Sequence, residues 1–156
     1  MRFSGERQVT AAVADVWDVL HDRDVLRSTI PGCQDMVPLG GGRYAATMQA
    51  KVGPVSDTYR GRFTIADLMP GEVLAVDVEA RGRCGTLQVG FQVQLADLGA
   101  GSTLLRYDAQ ARVRGLAARL GGPAMQVAGG HFTACFFRDL DRTLRRRPAR
   151  PLATVG

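Results

Sequence analysis

The residues best suited to chemistry are one helical histidine, three tyrosines and a terminal run of arginines. His131 follows the pair Gly129-Gly130 beside an apolar stripe at helical spacing. Two glycines inside a helix cost roughly 1 kcal/mol each relative to alanine, so another group is expected to approach closely there. Two roles stay open for His131: a hydrogen bond to a ligand carbonyl, or a half-exposed helix histidine with no ligand. Tyr44, Tyr59 and Tyr107 place hydroxyls on otherwise apolar walls. Catalysis asks for more, namely a nucleophile with its base, paired carboxylates or a metal cluster. Ser4, Ser28, Ser56 and Ser102 lie in no nucleophile-elbow context, and most acidic residues fall on outward positions. Cys33, Cys84 and Cys135 form no CxxC pair and are distant in sequence from His21 and His131, which argues against zinc. They read as small apolar residues. Walker and dinucleotide fingerprints are missing too, and the glycines near 40 and 100 read as hairpin turns. The expected catalytic residues are none and the expected metal ligands none. Binding is the better expectation.

The 156 residues fit one domain, and an apolar fraction of 46% is ordinary for a globular chain. No apolar run is long enough to span a bilayer, and Met1-Arg2-Phe3-Ser4-Gly5 contains no export-signal core, so a cytoplasmic location is expected. The net charge of +5 is concentrated at the end: Arg138, Arg142, Arg145, Arg146, Arg147 and Arg150 face only Asp139 and Asp141. Such a cluster suits an anionic lipid surface or an acidic protein, or simply complements a helix dipole. No aromatic residue interleaves with it, so nucleic acid is not an expected partner.

Periodicity places these residues on elements. Phe3 to Val9 reads as a strand; Val13, Val16, Trp17 and Leu20 have helical spacing, and a second turn, Asp24 to Thr29, stops at Ile30-Pro31-Gly32. The period then changes to two for about eighty residues. Tyr44, Ala46, Met48, Ala50 and Val52 share one face of a strand, as do Tyr59, Gly61, Phe63 and Ile65 of the next. Leu74 to Ala80, Leu87 to Leu95 and Leu105 to Val113 continue the pattern, with glycine-rich or Pro-Gly turns between. From Leu116 the period is helical again: Leu116, Leu120, Ala128, Phe132, Phe136, Leu140 and Leu144. Gly121-Gly122-Pro123 reads as a restart near its beginning. The fold class is therefore α+β: a curved antiparallel sheet of six or seven strands covered by one long C-terminal helix. Residues 1–147 form the domain and 148–156 a loose basic tail.

This order resembles the helix-grip superfamily of START lipid-transfer and birch-pollen-allergen proteins. Within it, the sequence resembles the CoxG family of carbon monoxide dehydrogenase. The resemblance rests on Phe3-x-Gly5, Val16-Trp17-x-x-Leu20, Leu26-x-x-x-Ile30-Pro31-Gly32-Cys33, Lys51-Val52-Gly53-Pro54-Val55, Gly61 and Gly115-Leu116-Ala117. It implies a non-catalytic accessory protein of a molybdenum-containing, CO-dehydrogenase-like hydroxylase. Such a protein would bring the enzyme to the inner face of the cytoplasmic membrane, where its electrons enter the respiratory chain. Some members carry a hydrophobic C-terminal anchor; this sequence ends in Arg-Pro-Ala-Arg-Pro-Leu-Ala-Thr-Val-Gly, which favours reversible membrane contact.

A packed interior needs side-chain volume. Many inward positions are small, among them Ala46, Ala50, Gly61, Ala80, Ala109 and Ala111, and so is the facing helix along Ala117, Ala118, Ala124, Ala128, Gly129 and Ala134. Either the helix closes onto the sheet or an apolar cavity remains; a cavity is the expectation, chiefly because the resemblance to the helix-grip superfamily implies one. Its expected ligand-binding residues are Tyr44, Met48, Tyr59, Phe63, Phe91, Tyr107, Met125, Ala128, His131 and Phe132, a lining suited to an isoprenoid quinone or another lipid. No covalent cofactor is expected. Leu116, Leu120, Arg142, Arg145, Arg146 and Arg147 are the expected membrane or partner contacts. An assembly factor acting only through protein contacts, or an enzyme using the cavity on a small hydrophobic substrate, are the competing readings.

Overall fold

The computed structural model describes residues 1–147; the expected tail, 148–156, lies outside the described residues. The chain runs β1 (Arg2–Val9), α1 (Val13–Leu20), α2 (Arg23–Thr29), β2 (Cys33–Gly40), β3 (Arg43–Val52), β4 (Val55–Met69), β5 (Val73–Arg81), β6 (Gly85–Gly99) and β7 (Ser102–Gly115). A 3-10 turn (Ala117–Leu120) leads into α3 (Gly122–Arg146). The seven strands form one antiparallel sheet in the order β1-β7-β6-β5-β4-β3-β2. Helices α1 and α2 carry the chain from one sheet edge to the other, and every later strand pairs with its predecessor. This is the expected helix-grip architecture.

Strand β2 is the element with the weakest alternation, because Pro38 interrupts it and Met36 is its one buried residue. Proline is tolerated there because β2 is an edge strand and has no second neighbour to which it must donate. The Asp22 carboxylate accepts hydrogen bonds from the backbone N–H groups of Asp24 and Val25, which starts α2 at Arg23, one residue earlier than the apolar spacing suggests. At the end of α1, His21 is bridged between the Trp17 carbonyl at 2.6 Å and the Asp67 carboxylate of β4 at 2.7 Å. Gly121 takes φ +89° and Pro123 falls in the first turn of α3, where its missing N–H has no partner to lose.

The buried face of α3 differs from the expected stripe. Met125, Phe137, Leu140 and Leu144 are buried, whereas Phe132 stays 37% exposed and Leu116 and Leu120 precede the helix altogether. A strict spacing of four advances about 400° per step in a helix of 3.6 residues per turn, so such a row drifts off any fixed face. The observed face mixes spacings of three and four.

The core is concentrated at one end of the molecule. Phe137, Leu140 and Leu144 from the second half of α3 meet Val16, Val19 and Leu20 of α1 and Leu26 of α2. They close on Phe63, Leu74, Val76, Val93, Leu95 and Leu105 of the sheet.

At the opposite end, Asp57 holds the β5–β6 turn. Its side chain, 6% exposed, accepts from the backbone N–H groups of Thr58, Arg83 and Cys84 at 2.8, 3.1 and 2.8 Å. These bonds, that from Cys84 foremost, hold its carboxyl below the ordinary value of 3.8. A depressed folded-state pKa contributes stability above the unfolded value and loses it as pH falls through the folded one. Asp57→Ala should therefore melt several degrees below the wild type at pH 7, and the gap should narrow steadily below about pH 4. Thermal melts of both proteins across that range check this; a gap independent of pH would mean that the carboxylate charge contributes nothing.

Candidate functional site

The inward rows of β5 to β7 are continuous, yet only about half of each is buried. In the packed end Leu74 lies opposite Val93, and Leu95 opposite Leu105, all buried. Along the same strands and on the same face, Ala80, Leu87 and Val89 are only half-buried, as are Ala109, Ala111 and Val113, while the half-buried Val78 and Phe91 mark the rim of the core cluster. The pairs Phe91–Ala109, Val89–Ala111 and Leu87–Val113 set a larger residue beside a smaller or similar one across β6 and β7. Helix α3 packs against β1 and β3, strands at or beside the two sheet edges. A position on a face bridged by a helix that is still half-accessible borders space rather than atoms. The first half of α3 contributes small half-buried residues there, including Ala124 and Ala128.

The interior space opens to solvent instead of being sealed. A cleft of about 270 Å³ lies between β7 and the start of α3, lined by Met1, Ala111, Val113, Ala118, Gly121 and Met125 among others. A second, of about 460 Å³, lies between β1 and α3, lined by Phe3, Arg7, Tyr107, Gln126, Gly130 and Thr133 among others. Both clefts are open to solvent.

The expected ligand-binding residues divide into three groups. Met125 and Tyr107 line the clefts, and Met48, Phe91 and Ala128 sit half-buried on the walls of the hollow end. Tyr44 and Phe63 stack on each other at 4.8 Å between ring centroids and pack into the core cluster; Tyr59, opposite Met48, is buried. His131 and Phe132 are exposed, and the His131 imidazole lies 3.6 Å from the Cys135 sulfur one turn further along the helix surface. Neither is among the residues lining the two clefts. The close approach that the glycine pair signals does occur: Phe3 of β1 fills the space beside Gly129, where a Cβ would overlap its ring. The same logic applies in β1, where a Cβ at Gly5 would overlap the Tyr107 hydroxyl. Phe3 and Gly5 therefore shape the site without having suggested a role through their residue types.

The walls offer holding groups and few reactive ones. Burial, then the neighbouring Asp57 charge, pushes the Tyr59 phenol up, so it stays a neutral hydroxyl. The Asp57 carboxylate is already occupied by three backbone donors. Burial also pushes the Cys33 thiol up, away from a reactive thiolate. Among the described residues no group of three or more His, Cys, Asp or Glu side chains could hold a metal ion.

The expected membrane or partner contacts do not form one surface. Leu116 and Leu120, 47% and 37% exposed, sit where three connections meet. The Leu116 N–H bonds to the Cys84 carbonyl of the β5–β6 turn, and a Cβ at Gly53 of the β3–β4 turn would lie 3.4 Å from Leu120. Lys51, Arg83, Arg114 and Arg119, all exposed, belong to the same connections or the strand ends beside them. Arg142, Arg145, Arg146 and Arg147 are also exposed but lie at the other end of α3, about 30 Å away at 1.5 Å per residue. Arg145 is held there by Asp141 at 2.9 Å. No helix among the described residues is long and apolar enough to cross a membrane.

Comparison with known proteins sharpens this picture. A search of curated protein sequences finds no match to the chain. Among solved structures, a conserved protein from Geobacillus kaustophilus superposes with a TM-score of 0.89 at 22% identity, covering 94% of this chain and 96% of its own. The Zhui aromatase/cyclase from a Streptomyces species gives 0.73 at 16% identity, with 94% of each chain covered. A START superfamily protein from Mycobacterium smegmatis gives 0.72 at 14%, with 93% and 97% covered. At these identities the likeness is one of fold. The sequence profile of carbon monoxide dehydrogenase CoxG, however, matches residues 5–145, nearly the whole described chain, and the chain belongs to the CoxG family.

Proposed function

We propose that this protein binds a flat hydrophobic ligand of the isoprenoid-quinone type in the hollow end of the grip, and links a CO-dehydrogenase-like molybdenum hydroxylase to the cytoplasmic membrane and its respiratory chain. The observation that carries this reading is the half-exposed apolar wall of β5, β6 and β7 on the face bridged by α3. Folding a chain with that much covered-face surface left unfilled forgoes roughly 25 cal/mol per Å² of burial, a sacrifice that a ligand would recover. A quinone ring has two apolar faces and carbonyls at its edge. Leu87, Val89, Phe91 and Val113 provide area for the ring and isoprenoid tail. Mass spectrometry of an organic extract of protein purified from its native host should find a quinone in stoichiometric amount. An extract free of lipid would overturn the reading and leave an assembly factor acting through protein contacts alone.

The membrane part of the proposal concerns the end that carries Leu116 and Leu120. Two exposed leucines on connections that also carry the exposed Lys51, Arg83, Arg114 and Arg119 have the composition that docks on anionic headgroups, each cation near the surface being worth about 1 kcal/mol. The hollow end opens beside this patch, so a ligand could pass between bilayer and cleft. In flotation assays with phosphatidylglycerol vesicles, the double variant Leu116→Glu, Leu120→Glu should lose most binding, and added salt should weaken what remains. Changing Arg142, Arg145, Arg146 and Arg147 to glutamine should have a smaller effect. The reverse ranking would transfer membrane contact to the other end of α3.

A further inference from the structure

The cleft between β1 and α3 has a different chemistry from the hollow apolar wall. Charges on the outward face of β1 are matched across the sheet: Arg2 pairs with Asp108 at 2.8 Å and Glu6 with Arg106 at 3.0 Å. Arg7 lies on the other face, its guanidinium over the Phe137 ring at 5.7 Å from the centroid. It lines the 460 Å³ cleft together with Arg2, whose guanidinium is already taken by the Asp108 carboxylate, and none of the lining residues itself carries a carboxylate. Phe3 and Tyr107 supply ring surface in the same cleft, and Gln126 an amide.

The two adjacent glycines of α3 divide their work here. Gly129 is where Phe3 comes in, and any side chain there would collide with it. Gly130 has no such neighbour: beyond the helix's own backbone, a Cβ built on it would meet no atom within 4 Å, and the residue lines the cleft. Helix packing therefore does not require a glycine at 130, and its propensity disfavours one. What the missing side chain does is leave the cleft open next to Arg7.

We infer that this lateral cleft is a separate binding site for a monomeric carboxylate amphiphile, with the carboxylate on Arg7 and the apolar chain running past Phe3, Tyr107 and the open surface at Gly130. A guanidinium over an aromatic ring is held at a fixed height and still has free N–H donors for a bidentate carboxylate. The inference does not rest on the quinone proposal, since it involves another cleft and an anionic ligand.

Isothermal titration with dodecanoate below its critical micelle concentration tests it, with methyl dodecanoate as the uncharged control. Arg7→Gln should weaken dodecanoate at least tenfold and leave the ester unchanged. Gly130→Leu should weaken both, while melting at or above the wild-type temperature because a helix glycine has been replaced. Ala111→Phe, in the other cleft, should leave dodecanoate affinity intact. Failure of the wild type to bind dodecanoate, or equal binding by wild type, Arg7→Gln and Gly130→Leu, would overturn the assignment. Binding seen only with phosphatidylglycerol vesicles, and not with the monomer, would overturn it as well.

Discussion

Ala111→Phe should abolish most quinone binding while leaving the fold nearly as stable as before. Ala111 is half-buried on β7, faces Val89 across the sheet, and lines the cleft below Met125. A phenyl group there projects into existing space, so no packed neighbour has to move far, and the stability change should stay within about 1.5 kcal/mol. The ligand, by contrast, loses its contact with that part of the wall. Removing about 100 Å² of apolar contact costs about 2.5 kcal/mol, or roughly 60-fold in affinity. Fluorescence titration with a short-chain quinone, alongside a thermal melt, checks both halves of the expectation. If the variant unfolds readily, the hollow end is filled in solution and the site is a core.

Leu140→Ala should show the opposite pattern. Leu140 is 1% exposed and belongs to the cluster joining α3 to α1, α2 and the sheet. Truncation in such a place costs the transfer energy of the lost methyl groups plus that of the void left behind, about 3 kcal/mol. For a domain of this size that lowers the melting temperature by roughly 6–12 °C. Below the new transition, quinone affinity should change less than twofold, since Leu140 lines neither cleft. Denaturant titration together with the same binding assay separates the two effects. A large loss of affinity in the folded variant would show that the packed and hollow ends act as one unit.

The sheet was legible in the sequence because its signal is local and repeated. Rows such as Leu87, Val89, Phe91, Val93 and Leu95 alternate without interruption, and glycine or proline marks each turn between hairpins. Strand β2 was less visible, since an edge strand with one buried residue has little reason to alternate. The site was harder. Alternation states which face Val89 and Val93 share, but not that one is half-exposed and the other buried; that depends on where α3 crosses the sheet. His131 illustrates the limit. Its neighbours Gly129 and Gly130 correctly signalled an unusual approach, yet the approaching group is Phe3, more than a hundred residues earlier in the chain and on a different face of the helix. Arg7 did not stand out in a sequence with nineteen arginines among twenty basic residues, and only the pairing of β1 with β7 sets it over Phe137.

The unequal distribution of the core also bears on how a molecule gets in and out. The last three turns of α3 are fastened by Phe137, Leu140 and Leu144, while its first turns begin at a left-handed glycine and lie over a thinly packed wall. Amide protons in those first turns should exchange through brief local openings, and those around Leu140 only when the whole domain unfolds. If the hollow end holds a ligand as proposed, the rate of those local openings, and not the stability of the whole domain, would set how fast it comes and goes.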